Sequence, residues 1–206
     1  MPLLLQQRDY WIFDMDGTLT FSIHDFDGIK RELGLPMDQP ILEALDQIPE
    51  PRASALHRQL DAIELEVARQ STQQAGAYEL LSTLKSRGHQ LGILTRNSKE
   101  NAFETLAACD LADFFAPDLV LSRNCCAPKP SPDGINQLLN QWNGTPERSV
   151  MVGDYLFDLT AGRSAGSATV YIDPTGEFEW QAHADVSVTT LAQVTQMLMD
   201  GLPGEA

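Results

Sequence analysis

Five short apolar runs, each closed by a polar or glycine signal, constrain this 206-residue chain more than any other feature. Tyr10-Trp11-Ile12-Phe13 leads into Asp14, Gln90–Leu94 into Thr95, Leu119-Val120-Leu121 into Ser122, Ser149–Val152 into Gly153-Asp154, and Thr169–Ile172 into Asp173. The runs are continuous rather than alternating, which is the pattern of strands buried on both faces of a parallel sheet. Helical patterns lie between them. Residues 77–87 place Leu80, Leu81 and Leu84 on one face before Gly88. Residues 98–108 open at Asn97-Ser98 as an N-cap and bury Ala102, Phe103 and Leu106. Residues 132–142 bury Ile135, Leu138, Leu139 and Trp142 before Asn143-Gly144, and residues 158–165 form a shorter helix before Gly166. Strand and helix alternate, so the fold class predicted is α/β, with a doubly wound, mainly parallel sheet.

One stretch breaks the rhythm. Between Thr20 and about Gln74 no strand run appears, and three helix patterns replace it. The first spans Phe26–Leu33 and ends at Gly34. The second starts from Asp38 as N-cap and uses Ile41, Leu42 and Leu45. The third runs from about Pro51 to Gln70, with Leu56, Leu60, Ile63 and Val67 at spacings of four, three and four. A simple crossover of roughly 50 residues would be long. The stretch therefore reads as a small α-helical cap, 21–74, inserted after the first strand of a core made of 1–20 and 75–206. The tail beyond Asp200 is expected to fray.

Composition removes whole classes of partner. Fourteen Lys and Arg against 29 Asp and Glu give a net charge of −15, which repels nucleic acid and anionic lipid. No stretch approaches the ~18 apolar residues of a membrane span. Residues Met1–Gln7 have no basic segment and are not read as a signal peptide. Cys109, Cys125 and Cys126 are odd in number and form no CxxC or Cys/His cluster, so reduced thiols in a cytoplasmic protein are expected, without a zinc site.

The chemistry gathers where the runs end. Asp14-Met15-Asp16-Gly17-Thr18 follows a buried strand, at the sheet edge where open α/β folds bind ligands. Its two carboxylates can part in role, one toward a metal and one toward a substrate, although an Asp-Gly pair also simply closes strands. Gly153-Asp154-Tyr155-Leu156-Phe157-Asp158 is a second acidic strand end. If the two strands are neighbours, Asp14 and Asp154 meet, repel, and need a cation between them. Oxygen ligands with room for water suit Mg²⁺. Asp158, one turn on, can brace Lys129, hold a metal-bound water, or serve as a helix N-terminal charge. Thr95 precedes Arg96-Asn97-Ser98 at a helix start, an anion-binding arrangement. Lys129 stands between Pro128 and Pro130, a stiff loop from which it can point at an anion.

The order of these four motifs, each after a strand or at a helix start, resembles the haloacid dehalogenase superfamily over residues 10 to about 175. Residues 75–81 and 161–166 look like its phosphoglycolate-phosphatase-like branch, with Ala75 where a proline is common. The resemblance implies a Mg²⁺-dependent phosphatase acting on a small phosphorylated metabolite. It implies Asp14 as nucleophile and metal ligand, Asp16 as general acid and base with its carbonyl on the metal, and Asp154 as second metal carboxylate. It further implies that Thr95, with the Arg96 and Asn97 amides, binds phosphoryl oxygens, that Lys129 neutralises the phosphate, and that Asp158 and Gly17 support the site. A phosphomutase, or a binding protein that keeps the fold without turnover, uses the same residues; a dehalogenase would lack Asp16. His24, Asp25 and Arg52 are the cap residues expected to face the site.

Overall fold

The computed structural model describes residues 5–21 and 25–200. His24 and the tail after Asp200 lie outside the described residues. The strands are β1 (Tyr10–Phe13), β2 (Gln90–Leu94), β3 (Val120–Leu121), β4 (Ser149–Gly153), β5 (Ala168–Ile172) and β6 (Val186–Val188). They form one sheet in the order β3-β2-β1-β4-β5-β6, and every pairing is parallel. Helices α1 (Phe26–Leu33), α2 (Ile41–Asp46) and α3 (Arg52–Ala68) follow β1, and α4 (Ala77–Ser86) leads into β2. Then come α5 (Lys99–Ala108), α6 (Asp133–Trp142), α7 (Leu156–Ala165) and α8 (Leu191–Asp200).

Side-chain alternation within each strand feeds two cores. Trp11 and Phe13 point to one face, with Ile93, Val150, Val152 and Val170, and pack under α4, α5 and α8. Ile12 points to the other, with Leu94 and Met151, and packs under α6 and α7. Burial on both faces is why the strands are apolar without a break. Trp142 is only partly buried and stacks on Tyr10, with ring centroids 5.7 Å apart.

Helices α1–α3 carry a third core of their own, built from Ile29, Leu33, Leu35, Leu45, Leu56 and Leu60. The chain leaves and re-enters the sheet at one point: Phe21 N donates to Thr72 O at 2.9 Å and Gln74 N to Leu19 O at 2.7 Å. Helix α1 is capped by Asp25, whose carboxylate accepts from Gly28 N at 2.8 Å, and stops at Gly34, whose φ of 66° is left-handed. Helix α2 begins at Ile41 with Pro40 as N-cap, so the expected cap at Asp38 is corrected; Asp38 stays in the preceding loop. Helix α3 buries Leu56, Leu60, Glu64 and Ala68, while Ile63 and Val67 are half-buried. No helix among the described residues is long and apolar enough to cross a membrane.

β1 lies between β2 and β4, where the chain's order along the sheet reverses. The C-terminal ends of β1 and β4 therefore flank the crevice in which open α/β sheets bind ligands.

Candidate active site

Asp14 extends β1 by one residue, its N–H donating to Val152 O at 2.9 Å. That bond sets its carboxylate at the crevice between β1 and β4. Asp154 leaves the end of β4 on the same edge, and Asp158 rises from the first turn of α7. Oxygens of Asp14, Asp154 and Asp158 lie within 4.8 Å of one another. The Lys129 ammonium sits among them, paired with Asp14 Oδ1 and with Asp158 Oδ1 at 2.6 Å. Asp158 also accepts from Tyr155 N at 3.0 Å, so it braces Lys129 and caps α7 at once.

Burial dominates the electrostatics. Asp14 is pushed above the usual carboxylate range by desolvation, which the Lys129 charge opposes and the Asp16 charge reinforces. Asp154 is driven well above it by desolvation and then by Asp14 and Asp158. Asp158 is raised to about 6 by desolvation, with Lys129 opposing. Burial alone would lower Lys129, but Asp14 and Asp158 outweigh it and hold the ammonium above its ordinary value. Fully ionised, the three carboxylates would outnumber the one ammonium by two negative charges in a largely buried cluster. One divalent, oxygen-seeking cation would balance them.

Asp16 is held apart from this group. Its Oδ2 accepts from Asn97 Nδ2 at 2.6 Å. Burial raises it to about 6, against the Asn97 hydrogen bond and the Lys129 charge. Gly17 makes the turn that follows Asp16 possible. Its φ is 83°, and a Cβ there would run into the Asp154 carboxylate. Thr18 Oγ1 donates to Asp154 Oδ1 at 3.3 Å, a contact the motif contains but its sequence does not explain.

Thr95 follows directly on β2, buried, with its Oγ1 accepting from Asn97 N at 3.1 Å. Ser98 caps α5 by accepting from Asn101 N. The Arg96 guanidinium turns toward α2: Nη2 meets both Glu43 oxygens at 2.7 and 2.8 Å, and Nη1 donates to Lys129 O at 2.6 Å. It also lies 4.8 Å from the Phe157 ring centroid. A second tie from α3 is more deeply buried. Arg123 pairs with Asp61 at 2.5 Å and with Glu64 at 3.0 Å, while Asn101 Nδ2 donates to Glu64 at 2.9 Å. Glu43, Glu64, Asn101 and Arg123 carry no motif; each is recognisable only once the chain has folded.

The sheet edge and α1–α2 enclose a cavity of about 570 Å³ that contains all of Asp14, Asp16, Thr95, Arg96, Asn97, Lys129, Asp154 and Asp158 in its lining. Asp25 and Arg52 do not line it, contrary to expectation. Asp25 is spent capping α1, and Arg52 is exposed at the start of α3.

The family model described as haloacid dehalogenase-like hydrolase matches residues 22–172, most of the chain. The protein is a haloacid dehalogenase-like hydrolase. It is 29% identical over 173 residues to a pyrophosphatase of Bacillus velezensis, covering 77% of this chain and 80% of the relative. It is 28% identical over 204 residues to a validoxylamine A 7'-phosphate phosphatase of Streptomyces hygroscopicus, covering 89% of this chain and 94% of the relative. A crystal structure of a predicted phosphoglycolate phosphatase from Haemophilus somnus superposes with a TM-score of 0.74 at 21% identity, covering 93% of this chain and 98% of that one. That likeness shows the haloacid dehalogenase-like fold, with its parallel sheet and helices on both faces.

Proposed function

We propose that this hydrolase is a Mg²⁺-dependent phosphatase that cleaves small phosphate monoesters through a phosphoryl group carried on Asp14. The observation that supports it best is the division between two carboxylates two residues apart. Asp14 lies with Lys129 inside the acidic cluster, while Asp16 stands on Asn97, outside it, raised to about 6.

Asp14, Asp154 and the Asp16 carbonyl would hold the ion, with Asp158 in support; the buried excess of negative charge and the all-oxygen donor set fit Mg²⁺. Bound there, the ion supplies positive charge against the phosphoryl oxygens. An Asp14 oxygen attacks phosphorus and the ester P–O bond breaks. Asp16 gives its proton to the departing alkoxide, then takes one from the water that attacks the phosphoryl-Asp14 phosphorus. Phosphate leaves and Asp14 is restored. Lys129 neutralises the transferring oxygens. The Thr95 hydroxyl accepts from Asn97 N and keeps its own proton for a phosphoryl oxygen, with the Arg96 amide beside it. Asn97's amide N–H is engaged by Thr95, so its contribution passes through its side chain to Asp16. Residues 21–74 act as a cap over the site.

Hydrolysis of 4-nitrophenyl phosphate with Mg²⁺, and after EDTA, tests this reading. Activity should vanish with EDTA and return with excess Mg²⁺, and Asp154→Asn should raise the Mg²⁺ requirement. Full turnover in excess chelator would defeat it.

A further inference from the structure

We infer that the outer part of the cavity takes an uncharged, ring-bearing leaving group, so that the preferred substrate is the phosphate monoester of a cyclic alcohol; this rests on the phosphatase reading above. At about 570 Å³ the cavity falls in the ~300–1,000 Å³ range of sites for whole small molecules, far more than a phosphoryl group fills.

Its outer wall is apolar. Phe26 and Met37 come from the helical side, Tyr155 and Phe157 from the sheet side. Phe26, Met37 and Tyr155 are 52%, 48% and 48% exposed, so none is placed there by core packing. Tyr155 is pre-set. Phe157 meets it edge-on with centroids at 5.1 Å, and Trp180 does so from another side at 5.7 Å. Its backbone N–H is fixed by Asp158. A rigid aromatic side chain with a hydroxyl at its tip suits a ring face with polar edges.

The charges point the same way. Four cations line the cavity. Lys129 is held by Asp14 and Asp158, Arg123 by Asp61 and Glu64, and Arg96 by Glu43. Of these four, Lys30 is the one with no carboxylate of a described residue at ion-pair distance; its ammonium donates to Met37 O at 3.1 Å. Three of the four cations are thus already neutralised, and a leaving group with its own carboxylate or phosphate would have Lys30 alone to pair with, next to the opposing Asp38 carboxylate on the rim. Hydroxyls of an uncharged ring would instead find Asp38 as an acceptor.

The test compares kcat/KM for phosphoglycolate, cyclohexyl phosphate, phenyl phosphate and a hexose 6-phosphate in the wild type and in Tyr155→Ala, Met37→Ala and Lys30→Ala. Intrinsic leaving-group reactivity differs between substrates but not between variants, so the readout is the change on mutation. Tyr155→Ala and Met37→Ala should lower kcat/KM by about tenfold for the ring-bearing esters and change phosphoglycolate by less than about twofold. Lys30→Ala should leave all within about twofold. A larger loss on phenyl phosphate than on the hexose phosphate assigns the wall to aromatic rings, and the reverse to cyclic polyols. The inference is overturned if Tyr155→Ala weakens every substrate equally, or if phosphoglycolate is preferred and Lys30→Ala removes that preference. If the wild type hydrolyses none of the esters, the phosphatase reading itself falls, a result distinct from either.

Discussion

Replacing Arg123 by Met should destabilise the protein far more than breaking the other ion pair between helices α1–α3 and the sheet. The Arg123 and Glu64 side chains are 8% and 10% exposed, whereas Asp61 is 49% exposed. Removing one member of a buried pair costs about 3–5 kcal/mol, because the other charge loses its counter-ion without regaining water. The half-exposed Asp61 contact adds about 0–1 kcal/mol at most. Asn101 still donates to Glu64 at 2.9 Å, which places the expected loss at the lower end, about 3 kcal/mol. For a chain of this size that lowers Tm by about 6–12 °C. Glu43→Gln breaks the Arg96 pair, in which Glu43 is 41% exposed, and should cost about 0–1 kcal/mol. Urea and thermal unfolding of both variants, with m-values compared, measure the difference. The double variant Arg123→Met/Glu64→Gln leaves no buried lone charge and should be more stable than Arg123→Met alone. Equal losses in Arg123→Met and Glu43→Gln, or a double variant whose loss is the sum of its parts, would refute the reasoning.

Gly17→Ala forces a side chain into left-handed backbone, at about 1–2 kcal/mol, and sets its Cβ against the Asp154 carboxylate. The variant should remain folded by circular dichroism while its activity falls by a factor on the order of 100. Burial, with the Asp16 and Asp110 charges adding, pushes the Cys109 thiol up to about 11, so at pH 8 it stays almost wholly protonated. Iodoacetamide should label the exposed Cys125 in the native protein and reach Cys109 only after denaturation, as peptide mass mapping would show.

The parallel sheet was legible because two-sided burial leaves a direct trace: apolar runs that do not alternate. Asp14, Thr95 and Asp154 were legible for the same reason, since each is the first polar residue after such a run. β6 leaves no such trace. It is a three-residue edge strand with only Val188 fully buried. Leu191, Val194 and Leu198 do carry the helical spacing of α8, a signal present in the chain that the strand runs overshadow. The rotation of α3 was beyond pattern reading. Apolar spacing favours Leu56, Leu60, Ile63 and Val67, yet the buried face carries Glu64 and Ala68. Glu64 can be buried because Asn101 and Arg123, 37 and 59 residues away, bring it a hydrogen bond and a charge. The Arg96 side chain illustrates the same limit: its backbone amide is the group expected at the phosphate, and nothing local announces that its guanidinium pairs with Glu43, 53 residues away.

The account rests on Asp14 carrying the phosphoryl group, and intact-protein mass spectrometry tests that most directly. Under the proposed assignment, Asp16→Asn keeps the nucleophile but loses the base that activates water. Mixed with Mg²⁺ and an activated ester, whose leaving group needs no proton, and then quenched in acid, it should gain one phosphoryl mass on the peptide containing Asp14. Asp14→Asn, treated identically, should gain none. A phosphorylated Asp14→Asn beside an Asp16→Asn that never gains the mass would contradict the assignment of the two carboxylates.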